Sequence, residues 1–302
     1  MSLNVIVAGA SGFLGTHLTA DLAQRGHSVT RLVRRAPSGA GELQWNPDAG
    51  EIDEAAVAAS DVVVNLGGSP LVGNVHSSKW AHDVRASRVA TSGTVSKAIA
   101  AAAAAGKAPA LVNASGVAYY GDHGSEVLTE ASDSRGDALL TSVSRDWEAA
   151  TAPAREAGAR VALLRTAPVQ DRSNPPLKQQ RLQFLAGLGG KLGDGKQYAP
   201  LISLRDWISA TVFLIEHPTA SGPFNLCAPQ TPTNAEFTET LASLVKRPAF
   251  FRAPKAVLKV AAGEFSPELL NSLNLRPAAL LDLGFTFADP DVRAVLTTGL
   301  KG

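Results

Sequence analysis

Hydrophobic positions along the chain alternate between two textures. Short runs rich in β-branched residues give way to stretches in which apolar side chains recur every three or four residues. Residues 3–8 (LNVIVA) have the first texture and predict a strand buried on both faces. Leu14, Leu18 and Leu22 have the second, inside a helix predicted over residues 13–25 and closed by Gly26. Residues 28–33, 61–65, 110–115 and 161–165 read as further strands, with helices near 84–105 and 142–156 between them. Strand and helix in regular alternation predict an α/β fold, a doubly wound parallel sheet of the Rossmann kind with both faces covered.

After Thr166 the texture changes. Proline and glycine gather at Pro175-Pro176, from Gly187 to Gly195, and at Pro218, Pro223 and Pro229. Helices are predicted at 205–216 and, behind Thr233-Asn234, at 235–246, with a strand at 223–227 and short helices set apart by Pro254, Pro267 and Pro277. The expected organisation is a dinucleotide-binding domain over 1–166 and, interleaved with it, a smaller substrate-binding portion over 167–302 that ends in a helical cap.

Composition narrows the function. Of 302 residues 45% are hydrophobic and 18% charged, within the range of folded globular chains. The net charge of +1 leaves no electrostatic footprint for a phosphate polymer, so no nucleic-acid partner is expected. One cysteine, Cys227, and six scattered histidines offer no metal-ligand spacing, and a reducing, cytoplasmic setting fits. No run approaches the roughly 18 apolar residues of a membrane span, so no membrane partner is expected either.

The segment Gly9-Ala10-Ser11-Gly12-Phe13-Leu14-Gly15 stands where the first strand ends and the first helix begins. Backbone N–H groups and the positive end of a helix converge there, which suits a pyrophosphate. The second strand chooses the dinucleotide. NAD sites carry an acidic residue for the ribose 2′-hydroxyl, whereas residues 28–35 (SVTRLVRR) end in Arg34 and Arg35 and hold no acid. A guanidinium attracts a 2′-phosphate that a carboxylate would repel, so NADP(H) is the expected cofactor.

In these segments the chain resembles atypical extended short-chain dehydrogenases/reductases of the NAD(P)-dependent epimerase-like family. The likeness runs through Asn65-Leu66-Gly67-Gly68, Tyr119-Tyr120-Gly121, Arg145-Asp146-Trp147-Glu148, Leu164-Arg165-Thr166, Gly187-Leu188-Gly189-Gly190, Thr233-Asn234-Ala235-Glu236-Phe237 and Gly263-Glu264. It implies that Leu66 and Gly67 lie under the adenosine ribose and pyrophosphate, that Arg88 reaches the cofactor, and that Asp83 orients a ribose or Arg88. Arg165 joins the cofactor set on the same ground.

Short-chain dehydrogenases use a Tyr-x-x-x-Lys pair for proton exchange during hydride transfer. Leu140 and Ser144 stand where that pair would be, and none of Tyr119, Tyr120 and Tyr198 has a lysine four residues on. The usual companion hydroxyl falls on Gly116, one residue from Ser115. The remaining candidates for the proton are Ser115, Tyr119, Tyr120 and water. Pro168 and Ser203 also depart from the family pattern. Gly190 to Lys196 imitates a P-loop, but Gln197 replaces its magnesium-binding hydroxyl and no strand precedes it. Two functions follow as expectations. One is an NADP(H)-dependent oxidoreductase or epimerase-like enzyme acting on a small carbonyl or alcohol, as monomer or homodimer. The other is a catalytically silent NADP(H) sensor or scaffold.

Overall fold

The computed structural model describes residues 2–301. Seven strands form one sheet: β1 (Asn4–Ala8), β2 (Ser28–Val33), β3 (Glu42–Gln44), β4 (Val62–Asn65), β5 (Ala110–Gly116), β6 (Val161–Thr166) and β7 (Gly222–Leu226). Their order is β7-β6-β5-β4-β1-β2-β3. The pairings of β1 with β2 and β4, of β2 with β3 and of β4 with β5 are parallel. The chain therefore walks outward from β1 to β3 and then returns to the other side of β1. The carboxyl ends of β1 and β4 become neighbours, with Ala8 opposite Asn65. That reversal is the switch point at which open α/β sheets hold ligands.

The helices used below are α1 (Phe13–Gln24), α2 (Ser78–Ala104), α3 (Leu139–Ala149), α4 (Pro175–Leu185), α5 (Leu204–Glu216), α6 (Asn234–Val245), α7 (Lys255–Ala262) and α8 (Val292–Lys301). Helix α2 starts six residues before the predicted position 84, because the Ser77 hydroxyl caps it by accepting from Trp80 N–H. The single helix predicted over 142–156 is two, α3 and Ala152–Glu156, with Pro153 in the first turn of the second. Pro175-Pro176, read from sequence among the loops, opens α4. A proline costs nothing in a first turn, where its missing N–H would have no partner.

Two compact units emerge, and neither is continuous in sequence. One comprises Met1–Ser115, Val143–Leu164 and Thr211–Pro223; the other comprises Gly116–Ser142, Arg165–Ala210 and Phe224–Gly302. The first unit packs Ile6, Leu32, Val63, Ile99, Leu111 and Val161 into a core that covers the sheet with α2. In the second, Leu177 and Phe184 of α4 meet Phe237 and Leu241 of α6 and Val295 and Leu296 of α8. Among the described residues no helix is long and apolar enough to cross a membrane, and no group of His, Cys, Asp and Glu could hold a metal ion.

Candidate functional site

The loop between β1 and α1 is shaped by what its glycines exclude. Gly9 has φ +76°, and a Cβ there would lie 2.7 Å from the Leu66 carbonyl oxygen and 3.1 Å from Gly67 N. A Cβ on Gly15 would lie 2.2 Å from the Gly9 carbonyl oxygen. One glycine thus lets the turn lie against the strand beside it, and the other lets α1 approach the turn. Gly12 is different, since a Cβ there would meet only the Gly9 oxygen, at 3.3 Å. Its outward side is open, as a close approach by phosphate requires.

Gly12 is also the N-cap of α1, and no side chain caps that end. The first-turn N–H groups of Phe13, Leu14 and Gly15 have no carbonyl one turn earlier to bond, and they carry the positive end of the helix. Ser11 and Gly12 are exposed beside them. This cradle fits a dinucleotide diphosphate by shape and by donor chemistry.

Beneath Leu66 and Gly67 lies a polar pin that sequence reasoning did not find. Asn65 donates from Nδ2 to Ser92 Oγ (2.9 Å) and Asn113 Oδ1 (2.8 Å), and its Oδ1 accepts from Gly67 N–H (3.0 Å). All of these side chains are buried. The pin ties the end of β4 and the middle of β5 to α2 and fixes the backbone that Gly9 leans on.

Arg88 is not a surface charge on α2. It is 8% exposed, donates from Nη1 to the Ser69 and Val84 carbonyls, and lies with its Cζ 5.0 Å from the centre of the Trp147 ring. Among the described residues no carboxylate partners it, and burial lowers its pKa to about 10, so it stays charged at neutral pH. Asp83, expected to orient a ribose or Arg88, pairs its carboxylate with Lys79 one helical turn away at 2.6 Å. The Trp147 indole N–H is buried without a hydrogen-bond partner among the described residues.

At the end of β2 the two arginines differ. Arg35 makes a two-pronged ion pair with Glu42, both contacts at 2.7 Å, and also donates to the Ala36 carbonyl. The Arg35 guanidinium, with the Ser38 amide and hydroxyl, lowers the Glu42 carboxyl to about 2. Among the described residues Arg34 has only a loose contact with Asp48, 3.9 Å away, and its side chain is 58% exposed. The absence of an acid within β2 was legible, but the acid that β3 supplies was not.

The three candidate hydroxyls are placed differently. Ser115 is buried in the first unit and donates to Glu148 Oε1 at 2.7 Å. Tyr120, in the second unit, is fully buried. It donates to Asn225 Oδ1 (2.7 Å) and accepts from Arg165 Nη1 (3.0 Å), and burial pushes its phenol up to about 12. Tyr119 is half-buried, and its hydroxyl bonds to no described residue. The Arg165 guanidinium lies 3.5 Å from the centre of its ring. Arg165, expected in the cofactor set, belongs to the second unit, where it binds Tyr120 and the Glu130 carbonyl. Its buried position at the end of β6 gives it these aromatic and backbone partners within that unit.

Comparison with known proteins follows the same outline. The NAD dependent epimerase/dehydratase family matches residues 5–141, and a domain of unknown function (DUF1731) matches residues 253–298. Epimerase family protein Mb2239 of Mycobacterium bovis is 42% identical over 284 residues, 94% of this chain and 93% of its own length. The chain belongs to the epimerase family. The human member SDR39U1 is 32% identical over 299 residues, 97% of this chain and 98% of its own. A crystal structure of human SDR39U1 (isoform 2) with NADPH superposes with a TM-score of 0.84 at 29% identity, covering 99% of both chains. A nucleoside-diphosphate sugar epimerase from Corynebacterium glutamicum superposes at 0.81 with 32% identity over 99% of this chain and 58% of that longer one. The UDP-N-acetylglucosamine 4-epimerase of Bacillus cereus, 16% identical with a TM-score of 0.76, shares the fold of this family member.

Proposed function

We propose that this epimerase-family chain is an NADP(H)-dependent oxidoreductase or epimerase-like enzyme acting on a small carbonyl or alcohol. The observation that carries the reading is the cradle of Gly9, Gly12 and Gly15. Two of these glycines are closed off by neighbouring backbone, and the third is open beside uncapped helix amides. The solved structure of the human relative with NADPH supports the same cofactor.

In this reading the first-turn amides of α1, from Phe13 to Gly15, hold the diphosphate, with Ser11 at the rim. Leu66 and Gly67 form the floor under the adenosine side. Arg34 grips the 2′-phosphate, and Arg35 assists by neutralising Glu42. Arg88 presents a sheltered positive charge beside Ser69. NADPH, when bound, supplies the hydride. The proton comes from Tyr119, whose hydroxyl is unengaged among the described residues while those of Ser115 and Tyr120 are committed. The Arg165 guanidinium over the Tyr119 ring stabilises the negative charge left as that proton departs.

A second reading, the catalytically silent sensor, is favoured by the same engagement of Ser115 with Glu148 and of Tyr120 with Asn225. Both readings need NADPH binding, and only one needs turnover. Titration with NADPH, followed by a panel of carbonyls monitored for NADPH oxidation, separates them. Turnover abolished by Tyr119→Phe with unchanged NADPH affinity supports the enzyme. Tight binding with no turnover across the panel favours the sensor, and no binding refutes both.

A further inference from the structure

One surface of the second unit combines exposed apolar side chains with an excess of positive charge. The strand Gly190–Leu192 pairs in parallel with Phe251–Ala253, and α7 follows directly behind Pro254. Lys255, at the start of α7, lies against Gly193 and pairs with Asp194 at 3.6 Å, which joins the helix to the turn after the first strand. Arg252 Nε donates to the Gly193 carbonyl. These segments are therefore neighbours.

Helix α7 is turned the wrong way for a soluble protein. None of its residues is buried; Leu258 and Ala262 are half-covered, while Val257, Val260 and Ala261 are exposed. Positions 257, 260 and 261 share one face, so the helix presents its apolar stripe to water. Phe250 is 88% exposed and Val260 78%, and Phe251 and Leu188 also project. Leu188 lies two residues before Gly190, the register partner of Phe251.

The charge is as one-sided as the apolar surface. Residues 186–196 and 246–262 carry seven Lys or Arg and a single acid, Asp194, in a chain whose net charge is only +1. Lys191 pairs with Glu239 and Lys255 with Asp194. Lys196 also lies by Asp194, whose carboxylate accepts from its backbone N–H, whereas Lys246, Arg247, Arg252 and Lys259 have no carboxylate within ion-pair distance among the described residues.

We propose that this face docks on the surface of an anionic phospholipid bilayer. Headgroup phosphates would meet the lysines and arginines, while Phe250, Phe251, Val257 and Val260 enter the boundary between headgroups and acyl chains. The absence of a spanning helix does not bear on this, because a docked face needs none. A second copy of the chain is a poor occupant, since a two-fold contact through this patch would set its cations against themselves. The inference is independent of the dinucleotide reading.

The test is co-sedimentation of the full chain with vesicles of phosphatidylcholine alone and with about one part in three phosphatidylglycerol, at low and physiological salt. Wild type is expected to sediment with the anionic vesicles and not with the neutral ones. Phe250→Ser with Val260→Ser, and separately Lys246→Glu with Lys259→Glu, should each lower the bound fraction by about tenfold. NADPH titration and circular dichroism of the same samples report whether the variants stay folded. Failure of wild type to sediment with anionic vesicles overturns the proposal, as does equal sedimentation with neutral ones. It is also overturned if the charge-reversed variant binds unchanged, or if light scattering shows a dimer that the Phe250→Ser, Val260→Ser variant dissolves while vesicle binding is absent.

Discussion

Replacing Gly15 with alanine tests the dinucleotide cradle where its geometry is tightest. The added Cβ would lie 2.2 Å from the Gly9 carbonyl oxygen, 2.7 Å from Ala10 Cα and 2.9 Å from Gly9 C. All three are backbone atoms, so no side chain can swing aside. Ordinary contact begins near 3.4 Å, so α1 and the turn must part by about 1 Å in a region packed as densely as a crystal. Overpacking of this kind costs about 1–3 kcal/mol, and each kcal/mol lowers Tm by about 2–4 °C in a unit of this size. The same displacement moves the first-turn amides off the diphosphate. Loss of even one hydrogen bond to a charged group, about 1.5–3 kcal/mol, weakens binding by about tenfold or more. Nicotinamide fluorescence titration and a thermal melt with and without NADPH read both effects. Gly93→Ala in α2 is the control, because a Cβ there meets no atom within 4 Å. It should raise stability by about 0.5–1 kcal/mol and leave binding alone. A Gly15→Ala protein that binds NADPH within about threefold of wild type, with an unchanged Tm, would refute the reasoning.

Other consequences follow from the charges and hydroxyls. Arg34→Ala should weaken NADPH by about tenfold or more and leave NADH nearly unchanged, as measured by parallel titrations. Arg35→Ala should do less, because Arg35 is already committed to Glu42. Glu42, held near 2, is ionised at any working pH, so Glu42→Gln should tighten NADPH several-fold by removing a negative charge next to the 2′-phosphate. Equal responses of both cofactors to these changes would count against the site. Tyr119→Phe should abolish turnover without loss of NADPH affinity, whereas Tyr120→Phe should lower Tm by leaving Asn225 without its donor. Burial raises the Glu268 carboxyl from 4.5 to about 7. The folded chain thus holds that proton more tightly than the unfolded one, and the penalty grows as pH rises from about 4.5 and is complete above about 7. Glu268→Gln should accordingly raise stability by about 1–3 kcal/mol at pH 8 and leave it unchanged at pH 4, read as Tm against pH.

The periodic parts of the molecule were legible before the fold was seen. Runs such as VIVA and VVVN are buried on both faces, so a strand shows as a continuous apolar run, and Leu18 and Leu22 mark the buried face of α1. The glycine loop was readable because its spacing obeys a steric rule that the structure obeys atom by atom. Expectation and structure part where one residue type serves two purposes. Pro175-Pro176 breaks a helix if placed inside it and starts one if placed first. Strand β3 is three residues long, too short to carry a period, yet it supplies the acid that occupies Arg35. The contacts of Ser115 with Glu148, of Tyr120 with Asn225 and of Asn65 with Asn113 join residues 33 to 105 positions apart, and no local pattern announces them. The division into units is hidden for the same reason. Residues 116–142 and 211–223 join units distant from them in sequence through contacts made only after folding.

The claim that most depends on the cradle between β1 and α1 is selective binding of NADPH. Its most direct test is equilibrium titration of the intact chain with NADPH and with NADH, followed by nicotinamide fluorescence. Saturable binding of NADPH, about tenfold or more tighter than NADH, is the result expected from Arg34 beside the glycine cradle. No saturable binding of either, or NADH bound at least as tightly as NADPH, would contradict it.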